Sequence, residues 1–441
     1  MYRFLQKDLV FWKQNQHRKP LLLRGARQVG KTHAIRDFAK ENFDHLVEVN
    51  FELQPNYKKI FTTLEPAEIV RNLNLALGKT IKPGVTLLFL DEIQECPQAI
   101  SALRYFYEKM PHLHVIGAGS LLEFALSTQN FKMPVGRVEY LYMQPMTFEE
   151  FLLAAKEEGL KSFLDALTLR QKINEAVQAR LFQLFKKYLL VGGMPEAIQV
   201  YLGNPDSNEF QDVQLSLLQT YRDDFGKYAS RAKHVHLHKV FNTAPSKVGQ
   251  IYKYSHIDRE TPSKELKTAL HLLVQAGVMT QLHATSGHGL PFIKDVNERK
   301  FKILFLDVGL MQRACGLDAQ IALADDFLAV NSGAVAEQFV GQQLLSLRNP
   351  HEASELYFWA RDEKNSKAEV DFLTVIGSKI LPVEVKAGKT GTLKSLKLFL
   401  QEHNSPLGIR FSQQELSFHD KILSIPIYAV SQMPKITKSL V

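Results

Sequence analysis

One stretch limits what this chain can fold into more than any other: Gly25, Ala26, Arg27, Gln28, Val29, Gly30, Lys31 and Thr32 in direct succession. The spacing is G-x-x-x-x-G-K-T. The apolar run from Pro20 to Leu23 has the character of a buried strand, and the residues from Lys31 to Phe43 repeat like a helix. A strand turning through glycines into a helix presents a row of backbone N–H groups, and the helix N-terminus adds positive potential. Such a loop is shaped to wrap a phosphate. Within it Lys31 reaches the β- and γ-phosphates and Thr32 ligates Mg²⁺.

The surrounding residues agree. From 20 to 158, short β-rich runs alternate with helical patterns, the signature of an open α/β sheet. Strands are predicted at residues 45–51, 85–90, 113–117 and 138–142, and a helix from Pro66 to Leu77 opened by its proline. Thr147 and Glu150 have capping-box spacing ahead of a helix reaching Ala155. The strand at 85–90 runs into Asp91 and Glu92, which places a carboxylate at the sheet edge to hold Mg²⁺ and a second one to polarise water as general base. Ser120, after the next strand, is read either as a γ-phosphate or water ligand or as the cap of a helix at 121–126. Arg137, after Pro134, Val135 and Gly136, is read as an arginine finger or as an exposed residue opening a strand.

Length and charge organise the rest. At roughly 150 residues per domain, 441 residues make about three domains. Two cysteines cannot build a disulfide framework, and no apolar run reaches the ~20 residues that span a bilayer. The N-terminus interrupts each apolar run with charge or amide, unlike a secretory signal. These features lead to the expectation of a soluble cytoplasmic protein. Of the net charge of +8, the segment from Phe225 to Leu270 carries +6, with nine Lys or Arg against three acids. That segment reads as a winged helix: helices at 237–244, 247–254 and 263–276, and wing strands at 279–283 and 291–296. Lys264 and Lys267 lie on one face of its third helix, where a recognition helix would meet DNA phosphates; a module packing between domains is the other reading. His234, His236 and His238 alternate as on an extended stretch, with no acidic or cysteine partner to make a metal site.

Taken together, RGARQVGKT, LLFLDEIQ, GAGSLLEF, GRVEYLYMQPMTFEEFL, YLLVGGMPEAI, LFLDVGLM and GAVAEQFV resemble the AAA-type ATPases of bacteria and archaea that carry a C-terminal domain of unknown function. The resemblance implies ATP as the nucleotide with Mg²⁺. It extends to signalling ATPases with a G-x-P motif in the helical lid, which implies that Pro195, in Gly193-Met194-Pro195, lies against adenine and senses the nucleotide. As residue pattern alone, that stretch is a helix–helix turn.

The C-terminal part holds a second constellation. Residues 369–376, Gly377-Ser378 and residues 379–386 read as a β-hairpin. A two-residue turn places Ile376 opposite Lys379, Asp371 opposite Glu384 and Glu369 opposite Lys386. All four charged residues then share one face. Facing carboxylates repel unless neutralised, and a divalent cation is the obvious neutraliser. The pattern D-x(12)-E-V-K resembles the PD-(D/E)xK nuclease fold, with Val370 where that name has proline. The resemblance implies that Asp371 and Glu384 hold Mg²⁺, that Lys386 assists the reaction, and that Glu337, on an apolar helix at 334–347, is a further acid. A salt-bridged hairpin is the alternative.

The expected architecture is α/β: a P-loop NTPase parallel sheet at 1–155, a helical lid at 156–225, a winged-helix module at 226–300 and a nuclease-like α/β domain at 301–441. The expected function is ATP hydrolysis coupled to a DNA-binding, metal-dependent nuclease-like domain. The alternative is a nucleotide-dependent switch whose silent nuclease-like domain docks DNA or protein.

Overall fold

A computed structural model describes the chain apart from residues 121, 123–135, 229–230, 325, 354, 362–367, 388–391 and 441, with backbone alone at 227–228, 231–232 and 332. The chain forms two compact units. The first comprises residues 1–144 with 275–277 and 349–353; the second comprises 145–274, 278–348 and 354–441.

The first unit is built on five parallel strands: β1 (Leu21–Arg24), β2 (His45–Asn50), β3 (Thr86–Asp91), β4 (His114–Ala118) and β5 (Glu139–Tyr142). Their order is β2-β3-β4-β1-β5. A parallel sheet must be covered on both faces, and the side chains of β3 and β4 are accordingly buried along their whole length. Val47, Val49, Leu88, Leu90 and Val115 share one core with Ile69 and Leu73 of the helix Pro66–Leu77 and with Ala99, Leu103 and Phe106 of the helix Pro97–Lys109. The helix Lys31–Asn42 buries Ala34, Ile35, Phe38 and Ala39, a helical stripe that leaves its N-terminus at the glycine loop.

The second unit begins with helices. Thr147 caps the helix Phe148–Ala154 in the expected reciprocal box, with Glu150 N–H donating to Thr147 Oγ1 at 3.2 Å and Thr147 N–H donating to Glu150 Oε2 at 2.9 Å. Helices Glu175–Val191 and Pro195–Gly203 flank a break at Gly192 and Gly193. The strands are β6 (Met279–Thr285), β7 (Val296–Phe305), β8 (Tyr357–Ala360), β9 (Glu369–Ile376), β10 (Lys379–Val385), β11 (Gly408–Ser412), β12 (Ser417–His419) and β13 (Ile422–Pro426). They make one eight-stranded sheet, ordered β12-β13-β11-β10-β9-β8-β6-β7.

The winged-helix expectation needs correction here. No α-helix forms over residues 247–254; a 3-10 turn ends at Lys247 and another spans Tyr254–His256. Gly249 adopts φ +80°, a conformation that breaks a helix. Residues Phe292–Asp295 form a 3-10 turn rather than a wing strand, and β7 continues past residue 300 into the same sheet as the C-terminal hairpin. The three histidines sit on the helix Arg231–Thr243, so their alternation does not align them on one side. Of the helix expected at 121–126 only Leu122 is among the described residues, and residues 134–135 fall outside them.

Candidate functional site

In the first unit the loop after β1 closes on itself. Gly25 takes φ +139°, and a Cβ there would sit 2.3 Å from the Met143 carbonyl oxygen, so only glycine fits. Gln28 and Gly30 also have positive φ, at 61° and 96°. Lys31 follows as the first helical residue and is only 8% exposed. Its ammonium donates to the carbonyls of Gly25 (3.0 Å) and Ala26 (2.8 Å). Burial pushes Lys31 down to about 8, opposed in part by the charges of Glu92 and Asp91.

Thr32 Oγ1 lies 3.2 Å from both carboxylate oxygens of Asp91, at the end of β3. Asn50 was not singled out from the sequence. It ends β2 directly beside Asp91, and its side-chain amide donates to Asp91 Oδ2 at 3.0 Å. The sequence shows an amide at one strand end and an acid at another; only the structure shows the two strands to be neighbours. Burial and the neighbouring Glu92 push the Asp91 carboxyl up, while the Thr32 hydroxyl pulls it partly back. A hydroxyl and a carboxylate at this separation form a donor set of the oxygen type that Mg²⁺ takes.

Glu92 holds φ +48°, and Gln94 Nε2 donates to its Oε2 at 2.6 Å. The glycines of the strand end at 117–120 make this possible. A Cβ on Gly119 would fall 1.9 Å from Gln94 Oε1, so that glycine leaves the space in which Gln94 supports Glu92. Ser120 follows, half-buried, just beyond β4. Arg137 is 43% exposed, and its Nε pairs with Glu108 at 3.0 Å, a carboxylate shared with Arg104.

In the second unit the Gly-Gly-Met-Pro turn has its own anchor. Gly192 takes φ +79°, with its missing Cβ 2.1 Å from Asp307 Oδ1. Asp307 is fully buried and was not among the residues expected at a site. It accepts from the backbone N–H of Gly193 (2.6 Å) and of Leu310 (3.1 Å) and from Gln342 Nε2 (3.1 Å). Burial pushes its carboxyl up, and these donors offset part of that. Pro195 is half-buried at the first turn of the helix Pro195–Gly203.

The hairpin register follows the turn. Ile376 pairs with Lys379 and Phe372 with Val383, which puts Asp371 and Glu384 next in line, and Gly377 has the positive φ, 61°, that the turn needs. Asp371 Oδ2 accepts from Val385 N–H at 2.8 Å, and Lys386 donates to Glu384. The unexpected member is Lys302 of β7, 1% exposed, whose ammonium contacts Glu337 (2.9 Å), Glu369 (2.5 Å) and Asp371 (3.4 Å). Burial alone would lower Lys302; the carboxylates of Glu337, Asp371 and Glu369 outweigh it and hold the ammonium above its usual range. Burial and the Asp371 charge push Glu384 up, and its Oε2 is buried without a partner. Among the described residues, no group of three or more His, Cys, Asp or Glu side chains is arranged to hold a metal ion.

Lys264 and Lys267 are both exposed on the helix Ser263–Gln275, opposite buried Leu266, Leu270 and Leu273. No helix among the described residues is long and apolar enough to cross a membrane.

Comparison with known proteins agrees with the first unit's architecture. A family model described as an AAA domain matches residues 17–152. Two models, each described as a domain of unknown function (DUF8612 and DUF4143), match residues 182–321 and 332–430. No curated protein matches. Similar solved structures include a Walker-type ATPase of Pyrococcus abyssi, PABY2304, at 16% identity, covering 70% of this chain and 94% of that one with a TM-score of 0.44. They also include the ORC2 protein of Aeropyrum pernix, at 12% identity, 73% and 96% coverage and a TM-score of 0.35. The RuvB Holliday junction branch migration motor of Thermotoga maritima follows at 15% identity, 63% and 88% coverage and a TM-score of 0.28. The first unit has the five-stranded parallel α/β fold of P-loop NTPases, similar to the AAA-domain model over residues 17–152, and the second adds a large sheet of its own.

Proposed function

We propose that the chain is an ATP-driven switch: the loop of the first unit binds and hydrolyses ATP, and the nucleotide state governs how the second unit binds DNA. One observation carries the first half. A buried ammonium rests on two loop carbonyls, beside a threonine hydroxyl bonded to both oxygens of Asp91. In this reading Lys31 exchanges its carbonyl partners for phosphate oxygens, and the loop N–H groups of residues 25–32 orient the polyphosphate. Thr32 and Asp91 would hold Mg²⁺, which supplies charge neutralisation to the phosphates. Glu92, braced by Gln94, accepts a proton from the attacking water. Ser120 serves as a second polar contact to phosphate or water, and Arg137 would act only after leaving Glu108. By the resemblance to signalling ATPases, Pro195 would sense the nucleotide, and the turn it follows, gripped by Asp307, would report which one is bound.

DNA as the partner is supported by the basic run of residues 225–270 and by the two exposed lysines on one helix, Lys264 and Lys267. The test is DNA-dependent ATP turnover by the full chain. Stimulation by DNA, reduced in Lys264→Glu/Lys267→Glu with DNA-free turnover kept, is the expected result. Turnover indifferent to DNA, with binding to an unrelated protein instead, would move the partner to protein. The convergence of Asp371, Glu384 and Lys386 is what metal-dependent cleavage would need. DNA cleavage with Mn²⁺, lost in Asp371→Ala and kept in Lys31→Ala, would replace the binding reading with a nuclease.

A further inference from the structure

The acidic face of the C-terminal hairpin draws carboxylates from three elements: Glu337 from the helix Ala334–Ser346, Glu369 and Asp371 from β9, and Glu384 from β10. A nuclease-like face of this kind takes a divalent cation among its acids. Here that place is contested by the protein itself. Lys302 Nζ lies within 3.4 Å of oxygens of Glu337, Glu369 and Asp371. We infer that Lys302 is a tethered cation standing where a divalent ion would be held, so that the face is closed to metal while β7 stays in place.

Three observations support this. First, Lys302 interrupts an apolar run, Phe301, Ile303, Leu304 and Phe305, all of them buried. A buried ammonium is expensive unless paired and hydrogen-bonded, so the carboxylates are its reason for being there. Second, its strand is held at the far end. The side-chain amide of Gln338 donates to Phe305 O at 2.7 Å and accepts from Phe305 N–H at 2.8 Å. A Cβ on Gly341 would fall 2.4 Å from Leu304 Cδ1, so the Leu304 side chain packs directly on the helix backbone there. Gln338 and Gly341 belong to the helix that supplies Glu337, which makes acid and lysine parts of one rigid pair of elements. Third, the face is not fully neutralised. Four carboxylates meet two ammoniums, Lys302 and Lys386, and Glu384 Oε2 is buried with no partner. An ion entering beside Lys302 would share the same three carboxylates with a fixed positive charge and be repelled by it. Removing that charge frees these carboxylates to close on a divalent ion, an arrangement they do not have around Lys302.

The test is Mn²⁺ binding to the full chain without nucleotide, read by the loss of the free-ion electron paramagnetic resonance signal. Wild type and Asp371→Asn should give the same isotherm. Lys302→Met should gain one Mn²⁺ per chain, at least tenfold tighter than any wild-type binding, and Lys302→Met/Asp371→Asn should lose it. A wild-type site that disappears in Asp371→Asn overturns the inference, as does a folded Lys302→Met that gains no ion. If Lys302→Met does not fold, the comparison of wild type with Asp371→Asn decides alone. ATP turnover by the same preparations reports separately on the switch reading, since Lys302 belongs to the other unit. Loss of turnover with the Mn²⁺ pattern intact would fault that reading and leave this one standing.

Discussion

Among the described residues two lysines are buried, and they are buried for opposite reasons. Lys31, 8% exposed, rests on carbonyl oxygens, and desolvation takes it down to about 8. Lys302, 1% exposed, touches three carboxylates and is held above its usual range. Carbonyl dipoles solvate an ammonium without cancelling its charge, so Lys31 keeps an unmet demand for an anion. Carboxylates cancel the charge, so Lys302 has no such demand. On the proposed function, the difference separates a group prepared for a ligand from one that serves as its unit's own counter-ion. Burial of a lysine therefore says little by itself; the partners decide.

The largest expected effect breaks the first half of the comparison. Lys31→Ala should abolish tight nucleotide binding, because no other side chain on the loop offers a buried positive charge to the β- and γ-phosphates. Glu92→Gln should keep binding and lower turnover by about 10²–10⁴-fold, the usual cost of losing a general base. Single-turnover hydrolysis together with equilibrium nucleotide titration separates the two. Equal turnover by wild type and Glu92→Gln would remove Glu92 from the role given to it.

Next comes the other lysine. Lys302→Met leaves three half-buried carboxylates without their cation, and breaking a fully buried pair typically costs about 3–5 kcal/mol, which sets the upper end here. Denaturant unfolding followed by Trp359, in β8 of the same sheet, would measure it. A loss below about 1 kcal/mol, the worth of an exposed pair, would mean that the cluster is solvated and that the contrast with Lys31 is misplaced.

How much of this was legible in the sequence depended on distance along the chain. The glycine loop, the strand ending in Asp91 and the capping box at Thr147 are local: strand, turn and helix stand next to one another, and each residue's place in the fold follows from its neighbours. The hairpin register was legible because Gly377-Ser378 is a two-residue turn, which leaves no freedom in the pairing. Lys302, Asn50 and Asp307 were not. Each acts on a partner at least 35 residues away: 35 for Lys302 and Glu337, 35 for Asp307 and Gln342, and 41 for Asn50 and Asp91. Pattern within one strand does not say which strand lies beside it. A lysine inside Phe301-Lys302-Ile303-Leu304 was a visible anomaly, since such a run reads as buried on both faces. The second helix of the winged-helix reading failed for a related reason. Helical spacing over 247–254 ignored Gly249, whose backbone turns at φ +80° with its Cα face 3.0 Å (as a built Cβ) from Glu337 Oε2.

Asp307 sharpens the comparison by adding a buried anion satisfied by neutral donors. Asp307→Asn keeps the shape but turns one acceptor into a donor, which must then face the N–H of Gly193 or of Leu310. Leaving such a buried group unpaired costs about 1–3 kcal/mol. The second unit should lose that much in thermal or denaturant unfolding. If the Gly192-Gly193 turn reports on the nucleotide, the ratio of ATP to ADP affinity should move toward one in the same variant. An unchanged ratio with the stability loss present would make Asp307 a brace for the turn and nothing more.

The smallest effect is a pH slope that the two lysines should not share. Lys31 loses its proton near pH 8 in the free protein, and an arriving polyphosphate favours the charged form. Above pH 8, then, binding must take up a proton, so affinity falls as pH rises, by up to about tenfold per unit. Below about pH 7 Lys31 is already charged and its contribution is flat. The nucleotide does not produce this slope, because phosphate groups have completed their ionisation by then, with second pKa values near 6. Measured without Mg²⁺, to keep Thr32 and Asp91 out of the equilibrium, ATP affinity should be level from pH 6.5 to 7.5 and decline from 8 to 9.5. Calorimetry in two buffers of different ionisation heat should register proton uptake at pH 8.5 and little at pH 7. Lys31→Arg should lose the slope, since a guanidinium does not titrate in this range. Lys302→Met should keep it, because Lys302 stays charged throughout and sits in the other unit. A wild-type affinity that stays level to pH 9.5 would mean that Lys31 is no easier to deprotonate than an exposed lysine, and the two buried lysines would then differ only in their neighbours, not in their readiness to bind.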